Sequence, residues 1–452
     1  MTFTIEWISH IFEKFDGEVK NVKINEIMTD SRKVTKDALF VPIKGENFDA
    51  HDFLMQAVEN GAAATLWNRK KNLPEDLPAG FPVFYVEDTT VALQTLAQTY
   101  REEVDPVVIG VTGSNGKTTT KDLIASVMKT SYRTHYTDGN YNNHIGLPLT
   151  ILSMPSDTEA LVLEMGMSAF GEIDLLSRLS KPDYAVITNI GESHIEYLGS
   201  RAGIARAKLE ITSGLNEEGL LLIDGDEELL NDANRRKGTI ACGFGRDNDE
   251  VISNVDIGTQ YTTFKLGDME YKVPLLGKHH ALNAAFAVIL GRELGIPIEK
   301  RKKGLSSLNR TGMRFEMLQG KKGAYIINDA YNASPTSMKA AIEVVKQLQG
   351  YQERVLVLGD VLELGEDSAE YHRSVAEVIE EPITAVLTFG NEAEYIAEAV
   401  KQQHSDIFCQ HYSDRKKLSE DLPSYLQKDA LLLFKASRGL KFETFIESLI
   451  QS

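Results

Sequence analysis

Only two cysteines, Cys242 and Cys409, occur in 452 residues, too few for a disulfide framework or a cysteine-ligated metal cluster. They fit a reducing compartment, and neither is given a catalytic part. Basic residues are also in deficit. The chain has 48 Lys and Arg against 66 Asp and Glu, and the resulting charge of -18 argues against a nucleic-acid backbone as partner while leaving room for a local anion site. No run of about 18 apolar residues is present, so no membrane-spanning helix is expected. The first residues, MTFTIEWISHIFEKFDG, lack a basic segment followed by an apolar one, so no secretory leader is expected and the chain reads as cytoplasmic. With 13 prolines, 42% hydrophobic and 25% charged residues, long disorder is not expected either.

What is present is an α/β pattern in three blocks, more than one core of up to ~250 residues would hold. Residues 1–100 carry short strand-like runs, ALFVPI and FPVFYV, around the helical stretch HDFLMQAVENGA, and read as a small α/β domain. Across residues 101–312, apolar runs end at glycine or polar turns and helices follow: VVIGVTG, LVLEMG, YAVITNIG, GLLLIDGD. That rhythm predicts a doubly wound, mostly parallel sheet. It is interrupted at about residues 247–277 by alternating runs that predict a β-hairpin. From residue 313 to 452 the rhythm restarts, predicting a C-terminal Rossmann-like α/β domain.

The stretch VIGVTGSNGKTTTKDLIASVM joins an apolar strand, a glycine turn and a helix. Such a turn aims backbone N–H groups and the positive helix end at one point, which favours an anion. Lys117 adds a point charge for phosphate, and Thr118 a hydroxyl for bound magnesium. The bland alternative is a connection with a solvated lysine. Val111 stands where the textual P-loop pattern has its first glycine.

Polar residues at later strand ends would face the same sheet edge: Glu164 after LVLEMG, then Asn189, Glu192 and His194. Glu164 is a hard carboxylate ligand; His194 is softer. In the last block Asp329, Tyr331 and Asn332 follow a strand, and Ser334-Pro335 predicts an N-cap and first helical residue. Arg314 lies at the domain junction, where a guanidinium suits a phosphate oxygen and a solvated linker arginine is the alternative. Lys435, Ser437 and Arg438 follow another apolar strand and suit a carboxylate or phosphate, or simply begin a capped helix.

Taken together, TDSRKV, LFVPIKGENFDAHDF, GVTGSNGKTTTK, GNYNNHIGLPLTIL, LEMGMSAFGEI, ITNIGESHIEYLGSRAGIARAKLEI, NDAYNASPTSM and LGDVLELGEDS resemble the Mur ligases of peptidoglycan synthesis. The family's shorter loop pattern accounts for Gly110, Gly113 and Gly116, and Val111 is no departure from it. The resemblance implies a UDP-binding first domain, a P-loop ATPase centre and a Rossmann-like third domain. It also implies ATP with Mg2+ and an acyl-phosphate route to an amide. Within the family, NDAYNASP and GDVLELGEDS fit the branch that joins D-alanyl-D-alanine to UDP-N-acetylmuramoyl-tripeptide, and nothing in the sequence demands more than a monomer.

By matching motif positions, the resemblance implies that Gly113, Ser114, Asn115, Gly116, Lys117, Thr118 and Thr119 cradle the nucleotide. Asn283 would lie on its adenine side, Arg314 on a phosphate and Asp329 on the nucleotide. Thr118, Glu164, His194 and a carbamylated Lys208 would hold metal. Lys117, Glu164, His194, Lys208 and Arg314 carry the catalytic assignment. Ser31 and Arg32 would hold the UDP-sugar end, and Asn332, Lys435, Ser437 and Arg438 other parts of the substrates. Without the resemblance Lys208 reads as a helix-surface lysine. Three positions depart from the family: His280 for an asparagine, Ala50 in FDAHDF and Ala436 in FKASRG, the last two for glycine.

Other readings stay open on the residues. The ligase that adds the third peptide residue shares the plan, but its Asp-Asn-Pro-Arg motif is absent. Folylpolyglutamate synthetases share the ATP domain but lack the DSR and FDxHDF segment. A P-loop transport or motor ATPase needs a coupled partner surface, and a nucleotide-binding regulator needs neither Lys208 nor a third domain.

Overall fold

The computed structural model describes residues 3–19, 21–308 and 312–450; residues 309–311, which begin the expected junction, lie outside the described residues. The described residues form three sheets in succession. In the first, the strands run in the order Phe15–Asp16, Val83–Val86, Ala62–Asn68, Ala38–Phe40, Glu26–Met28. All neighbours are parallel except the Phe15–Asp16 edge. The helix Thr89–Val104 leads out of it, started by Asp88, whose carboxylate accepts the Thr90 and Val91 N–H groups. Its buried face, with Leu93, Leu96, Ala97 and Tyr100, belongs to one core shared with the central domain.

The central sheet has nine strands. Its parallel part runs Thr134–Tyr136, Ala160–Glu164, Val107–Thr112, Tyr184–Ile187, Leu220–Asp224, Thr239–Gly243. The expected hairpin at 247–277 is formed by Thr262–Leu266 and Met269–Val273, and a third strand precedes it within the stretch. Glu250–Ile257 joins Thr239–Gly243 in parallel, and Thr262–Leu266 and Met269–Val273 extend the sheet antiparallel. Alternation marks a half-buried strand but not which edge it pairs with, so the first strand's membership of the main sheet was not readable. Ile252, Phe264, Tyr271 and Val273 turn one face inward.

Against that face lies the helix Lys278–Glu293, buried continuously from His280 to Gly291. Its alanines and Gly291 let it approach the helix Lys117–Met128; a Cβ on Gly291 would meet Val127 Cγ1 at 2.9 Å. This close packing places Asn283 above the glycine turn.

The third sheet runs Glu316–Gln319, Tyr325–Asn328, Ala430–Lys435, Glu353–Gly359, Ala385–Phe389, Phe408–Tyr412, with only the first strand antiparallel. Helices cover both faces, so Ala430–Lys435 is buried throughout and apolar up to its last residue. Among the described residues no helix is long and apolar enough to cross a membrane.

Candidate active site

Val107–Thr112 lies between Ala160–Glu164 and Tyr184–Ile187, the place where the chain changes from building one side of the central sheet to the other. The carboxyl ends of strands at such a reversal leave a crevice. The turn 113–116 fills it. Gly113 has φ +149, and a Cβ there would fall 1.8 Å from Thr188 Oγ1. Gly116, at φ +78, begins the helix Lys117–Met128 without a side-chain cap, so the positive helix end is left open to a ligand. Gly110 lies within the strand, where a Cβ would press on Met165 Cε at 2.9 Å. Gly113→Ala should lower stability by about 2 kcal/mol or more, because overpacking and a positive φ act together. A fall in the thermal midpoint with weakened nucleotide binding is the expected result.

The turn is clamped from the neighbouring strand end. Asn189 accepts the Asn115 N–H through Oδ1 at 2.9 Å and donates to the Asn115 carbonyl at 3.0 Å. Thr188 Oγ1 donates to the same carbonyl at 2.5 Å. Lys117 folds back to donate to the carbonyls of Gly113 at 2.8 Å and Ser114 at 3.3 Å. Burial pushes its pKa down, the Glu164 charge opposes this, and Arg314 adds to it. A phosphate group would supply the negative charge this ammonium lacks.

Parallel register sets Glu164 beside Val111, so its carboxylate reaches the first turn of the helix. Thr118 Oγ1 donates to Oε2 at 2.7 Å and Asn142 Nδ2 donates to Oε1 at 2.8 Å. Among the described residues no group of three or more His, Cys, Asp or Glu is arranged to hold a metal. The hydroxyl and carboxylate are nevertheless hard oxygen donors that fit magnesium. His194 lies 2.5 Å through Nδ1 from Glu363 Oε2 of the C-terminal domain. Burial pushes its pKa down against the Glu363 charge, which favours the neutral imidazole a metal requires. Lys208, in the last turn of Arg201–Leu209, is 2% exposed. Burial first, and the charge of Lys117 second, push its pKa far down.

The third domain closes the other wall. Register between Tyr325–Asn328 and Ala430–Lys435 pairs Asn328 with Phe434, so the residues that follow meet: Asp329 Oδ2 lies 2.5 Å from Lys435 Nζ. Arg314 stacks its guanidinium over Tyr331 at 4.1 Å, with Nε buried and unpartnered. Ser334 caps the helix Pro335–Gln347 in a capping box with Ser337, as expected. It also donates to Asn115 Oδ1 at 3.2 Å, and Thr336 Oγ1 donates to Glu192 at 2.7 Å, so this helix end is joined to the glycine turn.

Between these walls is a cavity of about 930 Å³. It is lined by Ser114, Asn115, Gly116, Lys117, Thr118, Thr119, Glu164, His194, Asn283, Arg314, Asp329, Asn332 and Lys435, which had been singled out from the sequence. Lys208 stands behind the wall, near enough for its charge to bear on His194. Ser31, Arg32, Ser437 and Arg438 are not among the lining residues, although the Arg438 guanidinium lies 5.9 Å from the ring of Tyr331, which is. Ser31 donates to Gln56 at 2.7 Å, and Arg32 makes a paired contact with Asp30. Ser437 accepts the Leu362 N–H at 2.9 Å, and Arg438 pairs with Glu443 at 3.0 Å.

The sequence singles out neither Asn142, within the aperiodic polar run GNYNNHIG, nor Glu363, within LGDVLELGEDS. It also leaves His279 without a part. This imidazole lines the cavity, and burial pushes it down to about 4 against the Asp329 charge, so it is a neutral hydrogen-bonding group there.

Fold and cavity define a three-domain α/β protein with a phosphate-loop nucleotide crevice that faces a second domain. Models of the Mur ligase family match all three parts: the family's catalytic domain at residues 23–101, its middle domain at 111–291 and its glutamate ligase domain at 313–438. The chain belongs to the Mur ligase family. It is 49% identical to UDP-N-acetylmuramoyl-tripeptide–D-alanyl-D-alanine ligase of Bacillus subtilis, over 98% of each chain. Among solved structures, MurF from Acinetobacter baumannii superposes with a TM-score of 0.87 at 29% identity, over 99% of this chain and 98% of that one. MurF from Thermotoga maritima in complex with ADP gives 0.82 at 32% identity, over 93% and 96%.

Proposed function

We propose that the chain is an ATP-dependent ligase that joins D-alanyl-D-alanine to UDP-N-acetylmuramoyl-tripeptide, giving the pentapeptide precursor of peptidoglycan. The observation that carries this reading is the cavity itself. It unites the phosphate loop and Glu164 of one domain with Arg314, Asp329 and Lys435 of the next, in a chain whose full length matches ligases of that name.

A carboxylate is a poor electrophile. Its oxygen attacks the γ-phosphorus of ATP, the bond to the β-bridging oxygen breaks, and ADP leaves an acyl phosphate. The dipeptide amine then attacks the carbonyl carbon, whose π electrons move onto oxygen; the nitrogen gives up a proton, and the tetrahedral adduct expels phosphate as C=O re-forms and the amide results. Little covalent chemistry falls to the protein, so positioning and charge neutralisation dominate. In this reading Lys117 and the turn N–H groups hold the β- and γ-phosphates, and Arg314 meets charge on the transferring group. Asn283 and Asp329 orient the nucleoside, and His279 donates or accepts without adding charge. Thr118 and Glu164, with His194 and a carbamylated Lys208, would hold magnesium. When bound, the cation neutralises phosphate oxygens.

Ser31 and Arg32 would take the UDP-sugar end, and Asn332, Lys435, Ser437 and Arg438 the peptide side. Both walls of the cavity come from one chain, so a monomer suffices. The free cysteines Cys242 and Cys409 accord with work in the cytoplasm.

Phosphate release from ATP, measured with UDP-N-acetylmuramoyl-tripeptide present, should rise sharply when D-alanyl-D-alanine is added. Release that ignores the dipeptide would sink this function.

A further inference from the structure

Glu363 reaches His194 from the opposite domain. Its Oε2 lies 2.5 Å from His194 Nδ1, and beside it the Glu196 N–H donates to the Glu363 carbonyl at 3.2 Å. Both residues hold left-handed backbone conformations, His194 at φ +66 and Glu363 at φ +64, which side chains of this size keep only when their surroundings impose them. The surroundings of Glu363 are visible. Asp360 accepts the N–H groups of Asn391, Glu392 and Ala393 at 2.9, 2.9 and 2.7 Å. His372 Nε2 accepts the Val361 N–H at 3.0 Å, and Ser437 Oγ accepts that of Leu362 at 2.9 Å. Three successive residues are thus pinned to the C-terminal domain, and Glu363, the next, is carried by it. His194 belongs to the central domain.

An imidazole gives one nitrogen to a cation when the other keeps its proton, and a carboxylate on that second nitrogen fixes both tautomer and ring plane. We propose that Glu363 is a positioning residue: its carboxylate, held 2.5 Å from His194 Nδ1, keeps the proton on that nitrogen and frees Nε2 as a ligand, so the cation-holding set is complete only when the two domains are docked. A bare surface ion pair would contribute little. A contact that sets a ligand's tautomer acts on metal affinity. This rests on the reading of His194 as a metal ligand, and the experiment separates the two.

The full chain with ADP is titrated with Mn2+, and free Mn2+ is followed by its electron paramagnetic resonance signal. Glu363→Ala should weaken Mn2+ binding about 10- to 100-fold, the usual cost of losing such a partner. Glu363→Gln, whose amide oxygen can take the same place beside Nδ1–H, should restore most of it. His194→Ala should weaken binding at least as much, and adding Glu363→Ala to it should change nothing more. Should Glu363→Ala not fold, Glu363→Asp, one methylene short of the imidazole, serves in its place and should also weaken binding. Wild-type affinity in the Glu363 variants beside weakened His194→Ala overturns the positioning role alone. Wild-type affinity in His194→Ala overturns the metal reading and the proposal with it.

Discussion

Lys117→Ala should lower kcat/KM for the ligase reaction by about 10²- to 10³-fold, the scale on which one preorganised charge-stabilising group acts. The fold should survive. The ammonium's observed hydrogen bonds go to two carbonyls of its own turn, Gly113 and Ser114, so its removal breaks no hydrogen bond from the turn to another element. Burial already disfavours the charged form, with Arg314 adding to the effect, so the free site holds a cation at some cost, which a triphosphate relieves. Nucleotide affinity and turnover should therefore fall together while the thermal midpoint stays near wild type. Unaltered affinity and rate in this variant would remove the loop from the site.

That loop was legible because every signal in it is local: an apolar strand, glycines where φ is positive, and a helix at once behind them. The cap at Ser334 was legible for the same reason. Its second contact was not. The bond from Ser334 to Asn115 spans 219 positions and depends on how two domains dock, which no spacing in either segment encodes. Asp329 and Lys435 were each visible as polar residues ending apolar strands. Their pairing follows from the adjacency of strands far apart in the chain, with the parallel partner Glu353–Gly359 on the other side of Ala430–Lys435.

The misses have the same origin. GNYNNHIG has neither helical nor strand period, and Asn142 gains its part only because Glu164 arrives beside it across the sheet edge. Glu363 sits in a loop whose direction is set by contacts from Asp360, His372 and Ser437. The stretch at 247–277 showed strand alternation, yet the pairing of its first strand was decided by Thr239–Gly243, outside the stretch. Local rules place elements and caps. The site is finished by register and docking.

Lys208 is the sharpest case, since RAGIARAKL has no clear apolar face and its lysine looks exposed, whereas the structure leaves it 2% exposed. An ammonium so placed, with Lys117 close by, is driven toward the neutral amine. A neutral amine is a nucleophile for carbon dioxide: nitrogen bonds to carbon, a proton is released, and a carbamate anion replaces a cation. Such a product would remove the repulsion from Lys117 and would turn a group unable to bind a cation into an oxygen ligand.

Lys208→Ala should therefore lose activity by roughly a hundredfold or more, as when several kcal/mol of metal-ion stabilisation are withdrawn. Added acetate or another short carboxylate should recover part of that loss by standing in for the carbamate oxygens. Labelled bicarbonate should give a carbamate carbon resonance in the wild-type chain that is missing from Lys208→Ala. A fully active variant, or a resonance that persists in it, would return Lys208 to the role of a buried packing residue.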